Sequence, residues 1–380
     1  MASAPLKGLK VIELARILAG PWAGQTLADL GAEVTKIESP QGDDTRGWGP
    51  PFITHDGETS AAYFHACNRG KKSIVVDLKN AEALQGLKDL IASADVLIEN
   101  YKVGGLEKFG LHYEAIKAIN PKLIYCSITG FGQTGPYAKR AGYDFLLQGM
   151  SGLMSVTGEP DQQPQKVGVA VTDVFTGLYS VIAIQAALTQ RTITGVGQHI
   201  DMSLFDVATA VTANQAMNYL ATGIAPMRKG NAHPNIVPYQ VFETSDSFVI
   251  IAVGNDGQFH KFCKVLDCVE LAEDPKYATN SARVTNRDAL TEFLNAKIIK
   301  LRKLDLLAQC DAVGVPAGPI NTMDEVFDDP QIKSRAMVMD LDGVPSVRLP
   351  IKFSEIDLGN QKAAPKLGKD TGDCFKEIKT

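Results

Sequence analysis

The chain has 380 residues, of which 45% are hydrophobic and 21% charged, and a formal net charge of −5. That length accommodates two domains around a substantial core, and the acidic balance excludes a general nucleic-acid binder, whose domain would be basic. An anionic small-molecule ligand stays open, because one basic pocket can sit on an acidic protein.

In chain order, Leu9–Leu14 predicts a buried strand, and Pro21–Leu30 a helix with proline in its first turn, ended by Gly31. Glu33–Glu38, Ser73–Leu78, Asp95–Asn100 and Lys122–Ile128 follow as strands, with an amphipathic helix at Ala81–Ser93. Strands alternating with helices predict an α/β domain with a mainly parallel sheet, approached by ligands at the carboxyl ends of its strands. Next come a short extended piece at Val167–Val171, a long apolar helix from Asp173 to Arg191, a strand at Gln198–Met202 and a helix at Leu204–Ala221. After Gly223 the texture changes. Gly230-Asn231-Ala232-His233-Pro234 is turn-rich, Tyr239–Val253 predicts a hairpin turning at Ser245-Asp246-Ser247, and 257–267, 288–300 and 303–313 are helical. From Arg335 the chain returns to strand-like pieces, MVMDLD and VRLPIKFS. The expected organisation is a large domain opened by residues 1–224, a smaller α+β domain at 225–325, and a tail at 326–380 that rejoins the large domain.

No segment reaches the roughly 18 consecutive apolar residues of a membrane-spanning helix, and Met1–Lys7 lacks the apolar core of a secretory signal. Six cysteines, at 67, 126, 263, 268, 310 and 374, are scattered without a Cys-x-x-Cys pair, and the histidines show no His-Glu-x-x-His spacing. This predicts reduced thiols in a cytoplasmic protein, with no metal site and no membrane partner.

The first β–α turn, Ala15-Arg16-Ile17-Leu18-Ala19-Gly20-Pro21, has one glycine where a dinucleotide-binding fold shows G-x-G-x-x-G. A nicotinamide or flavin is disfavoured, and no permanently bound cofactor is expected. Arg69-Gly70-Lys71-Lys72 sets three cations just before a strand, where an arginine fork and lysine point charges suit phosphate groups; a solvated loop is the alternative. Asn100-Tyr101-Lys102, with Lys108 six residues on, follows the fourth strand at an end where ligands gather. Two cationic segments at one sheet mouth suit a polyphosphorylated nucleotide such as coenzyme A.

Asp173 opens the long helix. As a helix cap, Thr172 or Asp173 needs no chemistry and is worth about 1 kcal/mol. As a nucleophile, Asp173 has the ordinary carboxyl pKa of about 3.9, and the helix N-terminus favours its anion, so it attacks a thioester without a general base. Gly254-Asn255-Asp256-Gly257 reads either as a flexible active-site flap or as a plain hairpin-to-helix turn. No Gly-x-Ser-x-Gly elbow and no Walker-type loop occurs.

Several stretches together resemble one family. They are Ala19-Gly20-Pro21, Asp29-Leu30-Gly31-Ala32-Glu33-Val34, Gly42-Asp43-Asp44-Thr45-Arg46, Asn68 to Ser73 and Glu99-Asn100-Tyr101. Ser127 to Gly132, Arg140-Ala141-Gly142-Tyr143-Asp144, Gly195 to Gln198 and Gly318-Pro319-Ile320-Asn321 carry the likeness over most of the chain. In order and spacing they are similar to the family III CoA-transferases of the CaiB/BaiF type. The resemblance implies a Rossmann-like large domain built from both chain ends, a smaller domain between them, and a homodimer whose subunits interlock like links of a chain.

It also implies that Asp173 is the catalytic nucleophile and that coenzyme A or acyl-CoA, as substrate, touches Leu18, Ala19, Arg69, Gly70, Lys71, Lys72, Asn100, Tyr101, Lys102, Lys108, Tyr143 and Asp144. Arg16 and Ser39 stand where a formyl-CoA transferase has histidine and arginine, which argues against formyl or oxalate specificity. The 2-methylacyl-CoA racemases of the same fold carry Gly-His-Asp where this chain has Gly142-Tyr143-Asp144; tyrosine, with a pKa near 10, is a poor proton shuttle at neutral pH, which favours transfer. A non-catalytic acyl-CoA-binding protein is the third reading. Asp43 to Pro51 and Asn231 to Pro234 look like the branch acting on dicarboxylates, such as succinyl-CoA with glutarate. Arg46 and His233 are candidates for the distal carboxylate, each with a structural alternative: a loop ion pair for Arg46, a packed turn residue for His233. The flap role of Gly254, Asn255, Asp256 and Gly257 rests on the same resemblance.

Overall fold

In the computed structural model, which describes residues 3–358 and 362–377, the apolar run Lys10–Leu14 is strand β1. Its side chains alternate: Val11 packs into the core on one face of the sheet, Ile12 and Leu14 into the core on the other. Helix α1 (Ala19–Asp29) and β2 (Glu33–Glu38) follow, then a hairpin of β3 (Phe52–His55) and β4 (Glu58–Ala61), and a short α2 (Ala62–Asn68). Next come β5 (Lys72–Val75), α3 (Ala81–Ala92), β6 (Val96–Glu99), α4 (Tyr113–Ile119), β7 (Ile124–Thr129) and α5 (Asp144–Met150). Then α6 (Val171–Thr194), β8 (Gln198–Ser203), α7 (Leu204–Ala210) and α8 (Ala213–Thr222) close this part of the chain.

Six strands pair in the order β5-β2-β1-β6-β7-β8, every pair parallel. The chain builds outward from β1 through β2 to β5, then returns to lay β6 on the other side of β1. The order therefore reverses between β1 and β6, and a crevice opens beyond their carboxyl ends.

Two compact units are formed: the described residues of Met1–Leu153, Lys166–Gly223 and Gln331–Thr380 make one, and Met154–Gln165 with Ile224–Pro330 make the other. The last segment of the first unit carries a hairpin of its own, Val338–Leu341 against Val344–Val347, followed by a helix at Thr371–Glu377. The second has a three-stranded antiparallel sheet, Tyr239–Glu243, Phe248–Ala252 and Ala317–Pro319. Its core gathers Phe242, Val249, Ile251, Phe259, Phe262, Leu290 and Leu294.

Three expectations are corrected. Val167–Val171 is not a strand; its residues lead irregularly into α6. The helix expected over Leu204–Ala221 breaks into α7 and α8 at Val211 and Thr212, with Ala213 at φ 45°. Of VRLPIKFS only Val347 lies in a strand, because Pro350 removes a backbone donor and the strand stops short of it. At 24 residues α6 is long and apolar enough to span a bilayer by composition. It instead packs on α1 and α5, burying Val181, Ile184 and Ala187 in the core together with Thr176 and Ser180, whose hydroxyls bond back to the helix carbonyls at 2.7 and 2.8 Å.

Candidate active site

Two close approaches assemble the site. Helix α6 crosses α1 at Gly177, where a Cβ would lie 2.8 Å from the Ala19 carbonyl oxygen, so only glycine lets it pass one turn beyond Asp173. A Cβ on Gly130 would lie 2.7 Å from the Cα of Gly142, and that contact seats the segment before α5 on the end of β7. A cavity of about 530 Å³ opens at the reversal between β1 and β6, a volume suited to a nucleotide-type ligand. Its wall is the Arg16–Ala19 turn, Asn100–Val103 after β6, Lys108, Arg140–Tyr143 and Asp173.

Four cations stand at this cavity. Arg16 is tied to Asp44 at 2.7 Å, both exposed. Lys102, Lys108 and Arg140 have no carboxylate partner among the described residues; Lys108 rests 4.9 Å from the Phe109 ring, and Arg140 stacks over Tyr137 at 4.4 Å and Phe131 at 5.2 Å. Unpaired cations held on aromatic faces keep their donors free for phosphate or carboxylate.

Asp173 is the third residue of α6 and not its cap. Ala170 takes the cap position, and Asp144 of α5 supplies the missing acceptor: its Oδ1 accepts the Thr172 N–H at 2.8 Å and its Oδ2 accepts from Gln148 at 2.7 Å. Gln148 in turn accepts the Val167 N–H at 2.9 Å, so α5 fixes the approach to α6. Asp173 is half-buried, and burial first, then the Asp144 carboxylate, push it up to about 7. The expectation of a fully ionised Asp173 at neutral pH is therefore corrected: desolvation outweighs the helix N-terminus, and protonated and ionised forms coexist there. The Tyr63 phenol is pushed up to about 12, by burial and next by Asp173, so a neutral hydroxyl stands near the carboxylate.

Leu18, Ala19, Asn100, Tyr101, Lys102, Lys108, Tyr143 and Asp173 share this one cavity wall. The basic loop before β5 does not join them. Arg69 is buried in a two-pronged pair with Asp29, its Nε at 3.0 Å from Oδ1, and Lys71 is buried 2.8 Å from Glu13 Oε2. Gly70, at φ 75°, donates its N–H to the Lys362 carbonyl, and Lys72 is exposed on β5. The reading of 69–72 as a phosphate loop is thus corrected: two of its three cations are internal. Asn100 lines the cavity, but both ends of its amide are engaged by Arg16 backbone, and Asp144 is engaged by α6.

Arg46 is taken up in the same way, by Glu38 through two bonds at 2.8 and 2.9 Å, by Glu58 at 2.7 Å, and by the Phe64 ring beneath it at 3.7 Å. With the Pro365 carbonyl also accepting from Nη2 at 3.1 Å, four of its five N–H donors are spent inside the fold, and it serves as a structural ion pair. His233, in the second unit, accepts the Asn235 N–H on Nδ1 at 3.1 Å, and burial, then the Arg287 cation, lower its pKa, so it is neutral at pH 7. The cation there is Arg287, whose Nη2 bonds the His233 and Pro234 carbonyls at 2.8 and 3.0 Å. Gly254–Gly257 is built as the start of the helix Asp256–Val265: Asn255 caps the Gln258 N–H, Gln258 reaches back to the Gly254 N–H at 2.7 Å, and Asp256 pairs with Arg283 at 2.8 Å.

Sequence reasoning gave no role to Arg140, although it stands in the Arg140-Ala141-Gly142-Tyr143-Asp144 motif, and missed Tyr63 and Arg287. Arg140 carried a signal, since Phe131 and Tyr137 flank it with the aromatic faces on which an unpaired guanidinium rests.

The family model for CoA-transferase family III matches residues 6–371. A succinate–glutarate CoA-transferase of Agrobacterium fabrum is 56% identical, covering 99% of this chain and 96% of its own. The mouse succinyl-CoA:glutarate CoA-transferase is 44% identical over 98% of this chain and 86% of its own. Among solved structures, a CaiB/BaiF family protein from Brucella suis superposes with a TM-score of 0.90 at 62% identity, covering 99% of this chain and 100% of that one.

Proposed function

The chain belongs to CoA-transferase family III, and on that premise we propose that it moves coenzyme A from succinyl-CoA to glutarate or a similar dicarboxylate, with Asp173 carrying the exchange. An ionised Asp173 attacks the donor thioester, giving an aspartyl–acyl anhydride and CoA thiolate. The thiolate attacks the aspartyl carbonyl of that anhydride, expels the donor carboxylate and leaves an aspartyl-CoA thioester. The acceptor carboxylate attacks this thioester and releases thiolate again. The thiolate then attacks the acyl carbonyl of the second anhydride, forming the new acyl-CoA and returning Asp173.

The observation that carries the reading is one acid on a cavity wall otherwise furnished with cations, at the end of a parallel sheet where its strand order reverses. Lys102, Lys108 and Arg140 face the phosphates of the nucleotide, and Leu18, Ala19, Tyr101 and Tyr143 line its path. The large domain corresponds to the first compact unit and the smaller one to the second, which takes in Met154–Gln165 besides the segment expected at 225–325. Two copies interlock as a homodimer. The support for that is an apolar surface the chain does not cover itself: Phe175, Leu178, Tyr179 and Ile182 on α6, with Phe145 and Leu146 on α5, are exposed.

Incubation with succinyl-CoA, trapping with hydroxylamine or borohydride and peptide mapping by mass spectrometry tests the mechanism. Modification at Asp173 is expected, and an unmodified Asp173 in turning-over enzyme would sink it. Arg140→Ala removes one charge-assisted contact, worth roughly 1.5–3 kcal/mol. A rise of about tenfold or more in KM for acyl-CoA, shrinking as added salt screens the contact in wild type and leaving kcat nearly unchanged, is therefore expected from initial-rate kinetics.

A further inference from the structure

Ile17, in the turn between β1 and α1, has φ 73°. The left-handed region is uncommon for any residue with a side chain and an outlier for a β-branched one. Such conformations persist only where the surroundings over-determine them.

The surroundings of Ile17 do so group by group. Five consecutive backbone groups, from the Ala15 carbonyl to the Ile17 carbonyl, each bond to a side chain from elsewhere. The Ala15 carbonyl accepts from Lys36 Nζ at 2.8 Å. The Arg16 N–H donates to Asn100 Oδ1 at 3.1 Å and the Arg16 carbonyl accepts from Asn100 Nδ2 at 2.7 Å, so one amide clamps both sides of a residue. The Ile17 N–H lies 3.3 Å from each Asp43 carboxylate oxygen, and the Ile17 carbonyl accepts from Cys67 Sγ at 3.6 Å. Asp43 is itself immobilised, by Lys36 at 2.9 Å, by the Thr45 N–H at 3.0 Å and by the Thr45 hydroxyl at 2.8 Å.

We infer that Asp43 and Asn100 are positioning residues, which lock Ile17 in its left-handed turn and thereby set the Ile17–Ala19 part of the acyl-CoA cavity wall that Asp173 shares. Neither residue needs to touch substrate for this. Asn100 spends its Oδ1 and one Nδ2 hydrogen on the turn itself, and Asp43 is buried beneath it. The lock acts on where acyl-CoA sits, so its loss shows in KM and in kcat/KM before it shows in the chemistry of Asp173.

Glycine adopts φ near 73° without strain, so Ile17→Gly makes the lock dispensable. Kinetics and melting temperature are measured for Asn100→Ala, Ile17→Gly and the double variant, and for Asp43→Asn with and without Ile17→Gly. Asn100→Ala is expected to raise KM for acyl-CoA about tenfold, and Ile17→Gly in that background to recover at least about threefold of it, a coupling of the size found between residues that share one structural feature. Penalties that multiply in the double variant would overturn the lock, and so would an Asn100→Ala enzyme with unchanged KM. A merely structural role would lower the melting temperature without glycine recovery. Should Asp43→Asn not fold, the Asn100 pair carries the test alone. The inference rests on this cavity being the acyl-CoA site. If that reading fails, trapped label is absent from Asp173 and no variant moves KM; if the lock alone fails, Asp173 is still labelled.

Discussion

Asp173→Asn is expected to abolish transfer, by about 10⁴–10⁶-fold in kcat, while binding of acyl-CoA stays within a few-fold of wild type. Asparagine keeps the volume and a hydrogen-bonding carbonyl but has no carboxylate to form an anhydride. The same substitution should make the protein more stable above neutral pH. Asp173 titrates near 7 in the folded chain and near 3.9 unfolded, so between these values the folded state binds the extra proton. Its stabilising contribution is complete below the unfolded value and is lost as pH rises through about 7, where a half-buried anion faces Asp144. Asparagine removes that penalty, for a gain of about 1–3 kcal/mol at pH 8 and almost none near pH 4. Melting curves of the two proteins at both pH values check the difference; equal curves at pH 8 would refute the raised pKa. In wild type the first half-reaction should rise with pH through about 7, because only the anion attacks.

That contradiction between activity and stability was out of reach of the sequence. Asp173 was legible as a candidate because a long apolar helix starts beside it, but its surroundings were not. They depend on Asp144, 29 residues earlier, taking over the helix cap and standing as a second negative charge. The β1, β2, β6 and β7 strands were legible to within two residues, since buried runs of Val, Ile and Leu leave few other conformations. The β3–β4 hairpin was not, because Glu58-Thr59-Ser60-Ala61 carries no apolar alternation and is held by Arg46 and by cross-strand Thr54–Thr59 contact instead. The basic loop 69–72 was misread for a related reason. A run of cations looks the same whether it faces phosphate or buried carboxylates, and the partners Asp29 and Glu13 lie 40 and 58 residues away.

Glu13→Gln is expected to cost about 3–5 kcal/mol, lowering the melting temperature by on the order of 10 °C, although Glu13 is not on the wall of the Asp173 cavity. Glu13 is wholly buried on β1 and pairs with two buried lysines, Lys36 at 3.1 Å and Lys71 at 2.8 Å. With Asp43 on Lys36 at 2.9 Å, two carboxylates and two ammonium groups close a neutral quartet under the first turn. Water is kept out: a Cβ on Gly24 would lie 1.8 Å from Glu13 Oε2, so the α1 backbone rests directly on the carboxylate. Burial alone pulls Lys36 down, but Glu13, Asp43 and Glu38 together raise it well above the ordinary lysine range. For Lys71 burial wins over Glu13, and its pKa is lowered. Removing Glu13 leaves Lys71 without an anion, and the cheapest response is for it to lose its proton. The sign is then opposite to that of Asp173: a lysine whose folded pKa is depressed gains stability as pH rises towards 10.4 and loses it as pH falls. Glu13→Gln should accordingly be least stable near pH 6 and recover towards pH 9. Adding Lys71→Met should restore much of the loss at neutral pH, because it removes the stranded charge and leaves the Lys36–Asp43 pair intact. Thermal melts of the two single variants and the double across pH 6–9 measure this, and a double variant no more stable than Glu13→Gln would show that charge balance is not what holds the turn.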